Sequence, residues 1–130
     1  MPVLEIDGLK LTSSYACVYY LVSKFNLKPS DPYQAWICDA VIDNTKDFID
    51  YYTVESLHKH RTQAEHWWEG AKSTKLGYLE GLLANSGGPW LTGDSISIGD
   101  IALFEFLWDG FERDNVREKR IGDLEGYPRL

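Results

Sequence analysis

Alternation of apolar and polar positions is confined to the first dozen residues. Met1-Pro2-Val3-Leu4-Glu5-Ile6-Asp7-Gly8 reads as a buried strand running into a tight turn. Leu9-Lys10-Leu11 is the return strand, and Thr12-Ser13-Ser14 is a helix start. A lone hairpin is only marginally stable in water. The pattern therefore asks for partner strands beyond these two, and the chain is expected to be the back part of something larger.

From there the period changes from two to about 3.6. A first helix over residues 14–24 carries Ala16, Cys17, Tyr20 and Leu21 on its apolar side. Residues 25–32, with two prolines and an Asn, read as a linker. Ile37, Val41, Thr45, Phe48 and Tyr52 then recur at helical spacing, widened by Ala40 and Ile42, and predict a helix over 32–52. A second long helix is expected over 54–85, carrying Trp67, Trp68, Ala71, Leu76, Leu79, Leu82 and Leu83. Gly70, Gly77 and Gly81 oppose it, each by about 1 kcal/mol against Ala unless packing needs a small residue. Asn85-Ser86-Gly87-Gly88-Pro89 ends it.

Ser97-Ile98-Gly99-Asp100 has the spacing of a capping box, with Ile96 and Ile101 at the flanking staple positions. Ser97 and Asp100 are thus assigned a structural role. The helix they open (Ile101, Ala102, Leu103, Phe104, Phe106, Leu107, Trp108, Phe111) is apolar nearly all round, which predicts burial at the centre of a bundle. The chain turns polar over 112–119, and Gly126-Tyr127-Pro128-Arg129-Leu130 resembles the start of a new helix.

Composition narrows the function classes. With 130 residues, 44% of them apolar and 14% aromatic, the chain can bury one usable core. A net charge of −7 argues against a nucleic-acid partner, which needs a basic stripe. No run approaches the roughly 18 apolar residues of a membrane span, and the start lacks the pattern of a signal peptide. Cys17 and Cys38 form no CxxC motif and read as reduced, buried thiols, which points to the cytoplasm. His58-Lys59-His60 and His66 lack a completing ligand at helical spacing, so no metal site is expected. Trp67-Trp68 read as packing residues, Asp43 taken alone as a solvated helix carboxylate, and Ser14 taken alone as an N-cap.

In this order and spacing, several of these segments resemble the glutathione S-transferase family: Pro-Val-Leu-Glu-Ile-Asp-Gly, the Ser-Ser helix start, Trp90-Leu91-Thr92-Gly93-Asp94 leading into the capping box, and the closing Tyr-Pro-Arg-Leu. Cys38-Asp39-Ala40-Val41-Ile42-Asp43 and Lys46-Asp47-Phe48 resemble the sigma class, the group of prostaglandin D synthase and the S-crystallins. The resemblance implies a mainly α chain truncated at both ends. Residues 1–25 would be the remnant of a thioredoxin-like glutathione-binding domain, 26–32 a linker, and 33–130 an incomplete all-helical C-terminal domain.

It further implies glutathione as co-substrate, with no other cofactor, and a small hydrophobic electrophile as second substrate in a cytoplasmic homodimer. Pro2 falls on the family's cis-proline, and Met1 on the residue whose backbone meets the cysteinyl part of glutathione. Ser14 falls on the serine that binds the γ-glutamyl carboxylate. Ser13 stands where the family usually has a longer Gln or Glu. Asp43 matches an aspartate that reaches the glutathione of the partner subunit. The thiol-activating tyrosine belongs upstream of Met1, so no catalytic residue is expected here and the 130-residue chain is expected to be inactive. Lys46 among Asp43 and Asp47 opposes the magnesium site of the prostaglandin D synthases, and Val54 replaces their tryptophan. The alternative is a non-catalytic, crystallin-like structural or interaction protein of the same fold.

Overall fold

The computed structural model describes residues 2–57, 61–108 and 124–130; over 48–57, 61–69, 71 and 72 it describes the backbone alone. Two short strands, β1 (Val3–Ile6) and β2 (Leu9–Thr12), precede four helices: α1 (Ser14–Lys24), α2 (Pro32–Leu57), α3 (Arg61–Ala84) and α4 (Ile98–Leu107). The fold is mainly helical, as the periodicity predicts.

The strands pair antiparallel in the register Val3↔Thr12 to Ile6↔Leu9. Asp7 and Gly8, at φ 50° and 76°, both take the left-handed conformation that a two-residue hairpin loop needs to match strand twist. Among the described residues nothing buries β1. Val3 is 57% exposed, and only Leu4 and Ile6 are partly covered. Among the described residues the sheet has two strands, and α1 packs beside β2, so most of its surface stays open. Alternation identifies a strand but does not supply the layers that would cover it. On α1, Cys17 is buried and Tyr20 and Leu21 are half-buried, whereas Ala16 is exposed.

α2 begins at Asp31-Pro32. One oxygen of Asp31, Oδ1, accepts the N–H groups of Tyr33 (3.0 Å) and Gln34 (2.9 Å), while Pro32 occupies the turn where no N–H is needed. Ile37, Cys38, Val41 and Thr45 make its buried stripe. The expected end near residue 52 is too early: the helix runs to Leu57. No Gly or Pro interrupts Tyr52-Thr53-Val54-Glu55-Ser56-Leu57, and β-branched Thr53 and Val54 cost only tenths of a kcal/mol. α3 accordingly starts at Arg61 rather than near 54. Among the described residues nothing lies within 4 Å of where a Cβ on its glycines at 70, 77 and 81 would stand.

Ile37, Val41, Leu76, Leu79, Leu91, Leu103 and Phe106 form one core, which joins α2, α3, α4 and the loop before α4. Burying a side chain of this size contributes about 1.5–3 kcal/mol. Gly99 allows the α2–α4 contact to close: a Cβ there would lie 3.1 Å from Cys38 Cα and 3.3 Å from Leu91 Cδ1. In the preceding loop Trp90 and Gly93 exchange backbone hydrogen bonds of 3.1 Å, which drives Leu91 fully into the core. Gly93 sits at φ 100°, and its carbonyl oxygen occupies the space a Cβ on Gly88 would need.

The capping box forms. Ser97 N–H donates to Asp100 Oδ2 at 2.8 Å, and the Ser97 hydroxyl donates to the same oxygen at 2.6 Å. The helix behind it is not enclosed. Leu103 and Phe106 are buried, but Ile101, Phe104 and Trp108 are 40%, 67% and 49% exposed, with Phe104 and Trp108 stacked on one another. An apolar sequence sets the preference for burial; the number of neighbouring elements sets how many faces are covered, and among the described residues one is. The staple residue Ile96 is also about half exposed, and Phe111 lies outside the described residues. At the chain's end, Tyr127 N–H reaches Leu124 O (2.8 Å) and Leu130 N–H reaches Tyr127 O (3.1 Å). Both are turns, and they lay Leu124, Tyr127 and Leu130 against the core.

Candidate functional site

The step from β2 into α1 places two serines on the surface. Ser13, not Ser14, is the N-cap; Ser14 is the first helical residue. Ser13 has φ 76° and ψ 118°, a combination outside the left-handed helical well and rare for a residue with a Cβ. Such a conformation costs on the order of 1–3 kcal/mol. Its carbonyl accepts Cys17 N–H at 2.9 Å, whereas its hydroxyl makes no capping bond. The hydroxyls of Ser13 and Ser14 therefore stand exposed beside the first-turn N–H groups, which have no intrahelical partner. Hydroxyl donors next to free amides at the positive end of a helix suit a carboxylate.

Pro2 is exposed just ahead of β1, and Met1 lies outside the described residues. Asp43 is exposed on α2, where it forms part of the wall of a groove of about 590 Å³ between α1, α2 and α4. No contact joins it to Ser13 or Ser14. The neighbouring carboxylates are engaged: Asp39 takes both oxygens to Lys28 Nζ (2.8 and 2.7 Å), and Asp47 lies 3.8 Å from Lys75 Nζ. Lys75 also donates to Asn44 Oδ1 at 2.8 Å, which anchors α2 to α3. Among the described residues no group of three His, Cys, Asp or Glu side chains could hold a metal ion. His58 and His60 lie outside those residues, and His66, Trp67 and Trp68 are described in backbone only.

Sequence reasoning missed Asp31, although Asp-Pro before an apolar stripe signals a helix start. It also missed Lys75 and Glu105, because a charged residue on a helix carries no signal of which element it will face.

Comparison with known proteins bears on the family and the fold. The family model described as "Glutathione S-transferase, C-terminal domain" matches residues 43–130. Glutathione S-transferase A3 of Mus musculus is 29% identical over 133 residues, covering 100% of this chain and 58% of its own length. A glutathione S-transferase of Antechinus stuartii is 28% identical with the same coverage. Among solved structures, the Pi-class enzyme of Onchocerca volvulus superposes with a TM-score of 0.78 at 24% identity, over 99% of this chain and 60% of its own. Na-GST-3 of Necator americanus gives a TM-score of 0.71 at 25% identity, over 99% and 63%. The chain thus spans about 58% of the length of these curated relatives. With the matched region covering two thirds of the chain, α3, α4 and the capping box included, the chain belongs to the glutathione S-transferase family.

Proposed function

We propose that the whole protein is a cytoplasmic glutathione S-transferase that joins glutathione to small hydrophobic electrophiles. The observation that carries this reading is the α1 start, where a strained Ser13 and the first helical residue Ser14 expose two hydroxyls beside free amides. The γ-glutamyl carboxylate of glutathione would sit there, with Ser14 Oγ and first-turn N–H groups as donors. The thiolate attacks the electrophilic carbon: a C–S bond forms, and the leaving group departs with its electron pair.

No tyrosine of this chain is assigned to thiol activation. That role falls to the part of the relatives' length that these residues do not span. Asp43 is read as approaching the partner subunit's glutathione in a homodimer, and the α2 segment Cys38–Asp43 as sigma-like. Two buried free cysteines support a reducing compartment. No described helix is long and apolar enough to cross a membrane.

The test is calorimetric titration of the whole protein with glutathione, run beside turnover of a chlorodinitrobenzene-type substrate. Ser14→Ala is expected to weaken binding about tenfold, the loss of one hydrogen bond to a charged group. Ser23→Ala, further along α1, should leave affinity unchanged. No glutathione binding by the whole protein overturns the reading. Binding without turnover would favour the structural, crystallin-like alternative.

A further inference from the structure

The stretch between α1 and α2 has the composition of a linker, yet its main chain is engaged on two sides. α1 ends in a Schellman turn: Asn26 takes the left-handed conformation at φ 52°, and Leu27 N–H donates to Val22 O at 3.0 Å. The carbonyl of the same residue accepts the N–H of Ile98 at 2.8 Å. Ile98 is the first residue of α4, directly after the cap Ser97. Its N–H is one of those that a helix start leaves without an intrahelical partner. The capping box serves the N–H groups of Ser97 and Asp100, and the linker serves that of Ile98. The two polar groups of Leu27 thus join the last turn of α1 to the first turn of α4.

Contacts on either side fix the position of Leu27. Lys28 Nζ meets both oxygens of Asp39 on α2, and Asp31 caps the start of that helix. Gln34 Nε2 donates to Thr92 O at 3.4 Å, from the start of α2 to the loop before α4. An exposed ion pair contributes little by itself, so the weight falls on the main-chain bonds of the half-buried Leu27. Those bonds are not independent. If the last turn of α1 unwinds, Leu27 moves and Ile98 N–H loses its acceptor. If the start of α4 frays, the Leu27 carbonyl loses its donor.

We propose that Leu27 is a main-chain latch that makes the end of α1 and the capped start of α4 open and close as one cooperative unit. Residues 25–31 then act as a rigid joint and not as a hinge. The unit is smaller than the whole fold, since the α3 part of the core lies outside it. The latch does not depend on how glutathione binds.

The test is native-state hydrogen exchange of the whole protein, read by NMR at the amides of Leu27, Ile98 and, as reference, the buried Leu79 of α3. Leu27 and Ile98 should share one protection factor within about threefold, below that of Leu79. Asn26 is exposed, and a β-branched residue there opposes the left-handed backbone. Asn26→Val should therefore lower protection about tenfold at both Leu27 and the distant Ile98, with Leu79 unchanged. Asn26→Gly suits that backbone and should lower neither. The reciprocal variant is Ile98→Pro, which deletes the donor at a helix position that proline favours. Ser97 before it already has the extended conformation proline requires, φ −126° and ψ 172°. Leu27 should be about tenfold less protected in Ile98→Pro than in Ile98→Ala, which removes the side chain but keeps the N–H. An Ile98 amide unmoved by Asn26→Val, or one that falls only in step with Leu79, overturns the latch. So does equal Leu27 protection in the proline and alanine variants, or a wild-type gap between Leu27 and Ile98 wider than threefold.

Discussion

The carboxylate of Asp100 holds Leu91, nine positions earlier, by accepting its backbone N–H on Oδ1 at 2.8 Å. Its other oxygen is taken by the N–H and hydroxyl of Ser97. One side chain therefore caps its own helix and ties the loop that inserts Leu91 into the core. The capping-box spacing announces the first function; the second depends on the loop's fold.

Asp100→Asn keeps the shape but loses the charge and turns one acceptor into a donor facing an N–H. The variant should lose about 2–3 kcal/mol of stability, against about 1 kcal/mol for Ser97→Ala. Urea unfolding followed by circular dichroism gives both values. Equal losses in the two variants would mean that the Leu91 contact contributes nothing.

Two glycines are held in place by different neighbours. At Gly99 an added Cβ meets Cys38 Cα at 3.1 Å, so α2 and α4 must separate by a few tenths of an ångström. Gly99→Ala should cost about 1–2 kcal/mol after its gain in helix propensity. At Gly88 the added atom meets Gly93 O at 2.4 Å, a backbone atom fixed by the Trp90–Gly93 bridge. Gly88→Ala should cost more than about 3 kcal/mol. The order of the two urea midpoints checks this, and a Gly88→Ala variant as stable as Gly99→Ala contradicts it.

Gly77 and Gly81 should behave in the opposite sense. Both lie inside α3 with open space where a Cβ would stand. Gly77→Ala and Gly81→Ala should each add about 0.5–1 kcal/mol by lowering the backbone entropy of the unfolded chain. The urea midpoint should rise at constant m-value. A lowered midpoint for either would show that the position contacts something the described residues do not include.

The core residue Phe106 is 2% exposed, whereas Phe104, on the same helix, is 67% exposed. Phe106→Ala is expected to cost about 3–5 kcal/mol, and Phe104→Ala in the isolated chain well under 1 kcal/mol. Thermal and urea unfolding of the pair measure the difference. A comparable loss at Phe104 would mean that this face is covered in solution.

Local chemistry made much of this legible. Ser97 and Asp100 announced a helix start because a capping box is settled within four residues. Asp7-Gly8 announced the hairpin because only certain residues tolerate positive φ. Ile37, Val41 and Thr45 gave the buried face of α2 because spacing on a helix is geometry internal to one element. Ser13 and Ser14 were found through the family resemblance, yet which of them caps α1, and the strain Ser13 carries, appeared only with backbone angles in hand.

By itself, the sequence determined that the chain is mainly helical, where the cap of α4 lies, and which family it resembles. These follow from interactions between residues a few positions apart or from their linear order. Tertiary structure alone decided that α4 is covered on one side, that Val3 is exposed, and that Asp43 and Glu105 share one groove. It also decided that Lys75 fastens α2 to α3 and that Leu91 hangs from Asp100. Each of these depends on how many neighbours an element has and where they sit, a property of the packed whole that no local pattern encodes.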